Sequence, residues 1–146
     1  MILWRISRHL DLSGRGGLIY AGRWHHAGAP VVYLAESPAG ALLETCVHTS
    51  ANDIPPSFTL LKVAGPDIPF DSVPFQSLET GWPARVEITR SAGSIWLGRG
   101  ASLLMRVPST LVPETANFLF NPLHADAALF SIEGSFVYPF DARLKG

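Results

Sequence analysis

Three side chains of complementary chemistry fall close together early in the chain. Arg23 follows Gly22 in a turn-to-strand stretch, Tyr33 lies in the apolar run Val31-Val32-Tyr33-Leu34, and Glu44 closes the stretch Ser37-Pro38-Ala39-Gly40-Ala41-Leu42-Leu43-Glu44. A guanidinium presents a planar fork of donors that grips phosphate oxygens two at a time. A phenol offers a stacking face with a polar tip. A carboxylate can hold a sugar hydroxyl or stabilise a cation developing on the sugar ring. Each alone is commonplace. A cation, a ring and an acid converging from successive elements make a kit for a dinucleotide, with Glu44 as the acid, Arg23 as the first phosphate ligand and Arg5 as the second. Proline neighbours restrain the backbone at Ser109, after Pro108, and at Asn121, before Pro122. The Ser109 hydroxyl is a candidate to bond a phosphate or a carboxamide, and the Asn121 amide to orient Glu44 or the substrate.

Plainer roles compete with these. An arginine after glycine commonly forms a surface ion pair, and a tyrosine in a short strand commonly packs in the core. A glutamate well inside a helix usually faces water, unless apolar neighbours such as Leu42, Leu43, Cys46 and Val47 turn it inward, where it needs a partner. Ser109 and Asn121-Pro122 also serve as simple turns. The five histidines invite a metal reading. His25 and His26, if on a strand, point apart, while His48 and His124 are isolated, so no metal site is expected. Gly14, Gly16 and Gly17 lack the following Lys-Ser/Thr of a phosphate loop and read as a flexible surface turn. No Gly-x-Ser-x-Gly elbow is present for a serine hydrolase.

The elements that must carry these residues are short, because glycines and prolines punctuate the whole chain. Strands are expected at Ile2–Ile6, Val31–Leu34, Phe58–Ala64, Ala101–Val107, Ala116–Phe120 and Ser135–Tyr138. The main helix is Pro38–His48, with Ser37 as N-cap and Pro38 at the first helical position, and with Leu43 and Val47 following at helical spacing. A second helix spans Thr89–Arg99, weakened by Gly93 and Gly98. Ser13–Gly17 is a turn, Asp67–Trp82 runs over the surface, and a helical turn begins at Asp126. The fold class is α+β: a single β-rich domain over residues 1–146, a curved sheet or two small sheets with flanking helices.

Composition bounds the function. A chain of 146 residues with 47% hydrophobic content and a mean hydropathy of +0.22 builds a real core. Charged residues are 16% and the net charge is −1, with no basic run, so direct nucleic-acid binding has no electrostatic footing. Such sparse charge fits a surface partly covered by a partner. The single cysteine, Cys46, excludes an intrachain disulfide and reads as a small buried apolar residue. Met1-Ile2-Leu3-Trp4-Arg5 meets charge too soon for a signal peptide, and no apolar run is long enough to span a bilayer. A cytoplasmic location is expected.

Six stretches, in order, resemble the RES family of bacterial toxins, named for an arginine, a glutamate and a serine. They are Leu3-Trp4-Arg5-Ile6, Ala21-Gly22-Arg23-Trp24, Val32–Ser37 with Ala41-Leu42-Leu43-Glu44, Leu104–Ser109, Asn117–Pro122 with His124-Ala125-Asp126, and Phe140–Leu144. Each is weak alone; their order over nearly the whole chain is specific. One departure is Ser94 in Gly93-Ser94-Ile95-Trp96, where an aspartate is expected, which bears on the capping of that helix. The resemblance implies a fold like that of ADP-ribosyltransferase toxins. It also implies NAD as the substrate, cleaved between nicotinamide and ribose by water or inorganic phosphate, with no resident cofactor. The resemblance further implies a cognate helix-turn-helix (Xre-type) antitoxin that blocks the site, and a homodimer is expected. Two alternatives stand beside this: transfer of ADP-ribose to a macromolecule from the same pocket, and an inactive relative that only binds its antitoxin.

Overall fold

Alternating side chains build both faces of the sheet. In β5 (Leu104–Pro108) and β6 (Ala116–Phe120), Leu104, Phe118 and Phe120 point into one core while Met105, Val107 and Leu119 point into another. Strands covered on both faces read as near-continuous apolar runs, interrupted here by Arg106 and Asn117. With β1 (Ile2–Ile6), β2 (Val32–Ala35), β3 (Ser57–Ala64), β4 (Asp71–Ser72) and β7 (Ser131–Pro139) they form one seven-stranded mixed sheet, ordered β4-β5-β6-β2-β1-β3-β7. The computed structural model describes residues 1–146.

Helices and loops cover the second face. The main helix, α2 (Pro38–His48), follows a four-residue helical turn, α1 (Gly16–Ile19). Ser37 caps α2, its hydroxyl accepting from the Gly40 amide at 3.0 Å, and Pro38 occupies the first turn. The small buried residues Gly40 and Ala41 let α2 sit close on the sheet, where Ala41 packs with Ala35 and Leu60. Leu43 and Val47, expected on the buried side, are exposed, because that close contact uses the small-residue face instead. The second long helix, α3 (Val86–Arg99), begins three residues before the expected Thr89 and ends at Gly100, whose φ of 60° suits glycine. Trp96 of α3 joins Trp24 and Trp82 over Met105, Val107 and Leu119.

Several expectations shift. Val31 packs just outside β2, which starts at Val32. The glycine-rich stretch is not a free surface turn: Gly17 is buried at the start of α1, with no room for a Cβ beside the Ala29 carbonyl and the His25 ring. Asp67–Trp82 does run exposed for most of its length. It nevertheless adds β4 parallel to β5 and is anchored by buried Trp82, whose ring lies 6.3 Å from that of Trp24. The last strand is longer than expected, because an edge strand with one open face lacks clean alternation and its Gly134 masks the pattern. His25 and His26 lie in a turn rather than a strand, His25 bridging to Gly22.

One irregularity positions the site. β1 and β2 are in register only at Trp4↔Ala35, whereas β1 runs beside β3 along its whole length. Past that pair the two strands part, and the gap is bordered by Arg5 and Ile6 on one side and Tyr33 and Leu34 on the other.

Candidate active site

A cleft of about 640 Å³ opens at this gap, between α2 and the Gly22–Trp24 turn. Arg5, Arg23, Tyr33 and Glu44 all line it. Glu44 comes from α2, on the face shared with Ala41, Thr45 and His48 at helical spacing. Its Oε1 accepts from the Ser109 hydroxyl at 2.7 Å and from Asn117 Nδ2 at 3.0 Å, and its Oε2 takes no hydrogen bond from the protein. Glu44 forms no ion pair. Two neutral donors thus fix the carboxylate without neutralising it.

Both cleft arginines lack a carboxylate partner as well. Arg23 donates from Nη1 to the Pro83 carbonyl at 2.8 Å. Arg5 donates to the Asp11 carbonyl at 3.3 Å. Burial pushes the Arg5 pKa below its ordinary value, against a smaller pull upward from the Asp11 charge. A guanidinium does not give up its proton, so the consequence is a poorly solvated cation that an incoming anion would stabilise.

Tyr33 presents its ring to the cleft while its hydroxyl is fully engaged behind it. The Trp24 amide donates to the hydroxyl at 3.0 Å, and the hydroxyl meets His25 Nδ1 at 2.7 Å. Burial pushes the phenol pKa up to about 12, with the Trp24 amide, Arg90 and Arg23 pulling the other way. Gly22 packs against this hydroxyl, and a Cβ there would collide with it. That is the physical reason for glycine before Arg23.

α3 grips the same turn from the other side. Thr89 donates its hydroxyl to the Arg23 carbonyl at 2.5 Å, Arg90 Nε donates to the Gly22 carbonyl at 2.9 Å, and the Ser94 hydroxyl accepts from the His26 amide at 3.1 Å. A Cβ on Gly93 would overlap the Trp24 carbonyl. Gly93 is therefore a point of close approach, and Ser94 is a mid-helix clamp rather than a cap.

Ser109 and Asn121 take places other than those expected. Ser109 is buried, does not line the cleft, and besides holding Glu44 accepts from the amides of Leu111 and Val112 at 3.1 and 3.4 Å. Its hydroxyl supports the acid from behind. Asn121 lies in a separate hollow of about 270 Å³ with Leu123 and His124, and its side chain accepts from the Leu123 amide at 3.0 Å. It shapes a turn. The asparagine that orients Glu44 is Asn117, which sequence reasoning passed over. The signal was its place in β6, a polar residue alternating with Phe118 and facing the side of Leu119. Cys46 is buried. No three His, Cys, Asp or Glu side chains are grouped to hold a metal ion, and no helix is long and apolar enough to cross a membrane.

A protein-family model described as RES domain matches residues 2–141. The chain belongs to the RES domain family. Among its RES relatives is a protein named Toxin Res from Pseudomonas putida, 46% identical over 99% of each chain. A Prs ADP-ribosylating toxin from a Sphingobium strain is 39% identical, covering 80% of this chain and 76% of its own. Among solved structures, the crystal structure of the M. tuberculosis MbcT–MbcA toxin–antitoxin complex contains a chain that superposes with a TM-score of 0.74. It covers 99% of this chain and 86% of that one, at 16% identity. That likeness supports the shared RES fold: a single α+β domain with one mixed sheet and a few helices.

Proposed function

We propose that this RES domain is the toxin of a bacterial toxin–antitoxin pair and depletes NAD by cleaving the bond between nicotinamide and ribose. The observation that carries the reading is the meeting, in one dinucleotide-sized cleft, of a carboxylate fixed by two neutral donors and two guanidiniums with no carboxylate of their own. Arg5 and Arg23 suit the pyrophosphate. The Tyr33 ring suits the face of nicotinamide or its ribose. In the step itself the C1′–N bond breaks, nicotinamide leaves with the electron pair as a neutral molecule, and positive charge develops on the ribose. Glu44 stabilises that charge and orients the acceptor through its free oxygen. Water as acceptor, losing a proton to solvent, gives ADP-ribose; inorganic phosphate gives phosphorylated ADP-ribose.

Pairing with a helix-turn-helix antitoxin is part of the same reading. It is supported by relatives named as toxins and by the toxin–antitoxin complex whose fold this chain shares. A second reading, transfer of ADP-ribose to a macromolecule, is favoured by the relative named as an ADP-ribosylating toxin. NAD labelled in its adenylate separates the two. With lysate and phosphate present, the first reading expects the label in a small product, and label retained on protein or nucleic acid would establish the second.

A further inference from the structure

His25 is buried and has no part in the chemistry above, yet every polar atom of its ring is engaged. Nε2 lies 3.3 Å from the Gly17 carbonyl, which can only accept, so Nε2 carries the hydrogen. Nδ1 is then an acceptor, and it faces two donors: the Gly22 amide at 3.2 Å and the Tyr33 hydroxyl at 2.7 Å. The Tyr33 hydroxyl in turn accepts from the Trp24 amide. A single relay therefore runs from the buried start of α1 through the imidazole to the ring that lines the cleft, and it also fixes the residues on either side of Arg23. We propose that His25, as the neutral Nε2–H tautomer, is the positioning residue that holds Tyr33 and the Arg23 turn in place for catalysis.

Protonation would put a hydrogen on Nδ1, where two donors already point, and would uncouple the relay. No charged group around the ring favours that proton, and only two backbone carbonyls do. α3 contributes the Arg90 charge, the turn contributes Arg23 and His26, β2 contributes the Tyr33 phenol, and the α1 segment contributes only the backbone carbonyls of Gly17 and Tyr20. Burial pushes the imidazole pKa below its ordinary value, as does the Arg90 charge, against those carbonyls.

This proposal rests on the NAD-cleaving reading for its kinetic arm and carries a second arm that does not. In the kinetic arm, kcat/KM for NAD is followed against pH for the full chain, His25→Asn and His25→Leu. Asparagine keeps an acceptor near Nδ1 but does not titrate. His25→Asn should retain the neutral-pH rate and lose part of the fall on the acid side. His25→Leu, folded by thermal melt, should lose on the order of 10²-fold in kcat, the scale of a misplaced reacting group. Superimposable acid limbs for the parent and His25→Asn, or a folded His25→Leu with parental kcat, would overturn the proposal. The second arm reads the imidazole nitrogens of the parent by NMR. The Nε2–H form at neutral pH supports the relay, and the Nδ1–H or doubly protonated form sinks it, whether or not His25→Leu folds and whether or not NAD is cleaved.

Discussion

Glu44 receives both of its hydrogen bonds on one oxygen, and the two donors differ in what else they hold. Ser109 is buried and also satisfies two backbone amides, whereas Asn117 is half-buried and serves Glu44 alone among the side-chain bonds. Ser109→Ala should therefore lower both stability, by about 1–3 kcal/mol for the amides and carboxylate it abandons, and activity. Asn117→Ala should lower activity with a smaller change in melting temperature. Parallel thermal melts and rate measurements check this, and a Ser109→Ala protein as stable as its parent contradicts it. At this scale the sequence made Arg5, Arg23, Tyr33 and Glu44 legible, since each is a strongly chemical type in a distinctive setting. It misdirected attention to Asn121, whose proline neighbour marks a turn. The functional weight of Asn117 emerges only once β6 is paired and its outward and inward positions are known.

At the scale of elements, α3 acts as a clamp on the arginine turn, and its two glycines do opposite things. Gly93 lies against the Trp24 carbonyl, while nothing lies within 4 Å of where a Cβ on Gly98 would be. Gly93→Ala should push the helix off the turn, costing about 1–3 kcal/mol or more, and should raise KM by displacing Arg23. Gly98→Ala should stabilise by about 0.5–1 kcal/mol through helix propensity alone. Urea midpoints of the two variants test the contrast, which disappears if α3 does not seat on that carbonyl. His25 links α1 to the same turn and gives it a pH signature. Its folded pKa is depressed, so the folded state resists a proton that the unfolded chain takes up below about pH 6.5. The stability contribution is complete above that pH and is lost as pH falls toward the folded value. Urea midpoints measured downward in pH should fall more steeply for the parent than for His25→Asn. The α2 boundaries were readable because Ser37-Pro38 is a strong start signal. The early start of α3 was not, since Arg85 caps it with no side-chain bond and Glu87 in the first turn, set between β-branched Val86 and Ile88, is a weak start signal by itself.

Across the whole molecule, the decisive feature is that the sheet is imperfect in its middle. β1 and β2 share one registered pair and then separate, and the cleft occupies the space that a continued ladder would have closed. Both α2 and the α3-held turn sit on the second face of that sheet, which brings an acid that follows β2 in the chain and a cation that precedes it to one opening. Local sequence signals could assign α+β architecture and list strands, because alternation and turn residues are local. They could not reveal a missing strand pairing, which is a relation between distant segments. Nicotinamide release from NAD by purified parent and Glu44→Gln proteins tests whether this opening breaks the nicotinamide–ribose bond with the Glu44 carboxylate stabilising the charge on the ribose. Steady release by the parent is expected, with a fall on the order of 10²-fold or more in the variant at an unchanged melting temperature. No release by the parent with or without phosphate, or equal rates from the two folded proteins, would contradict it.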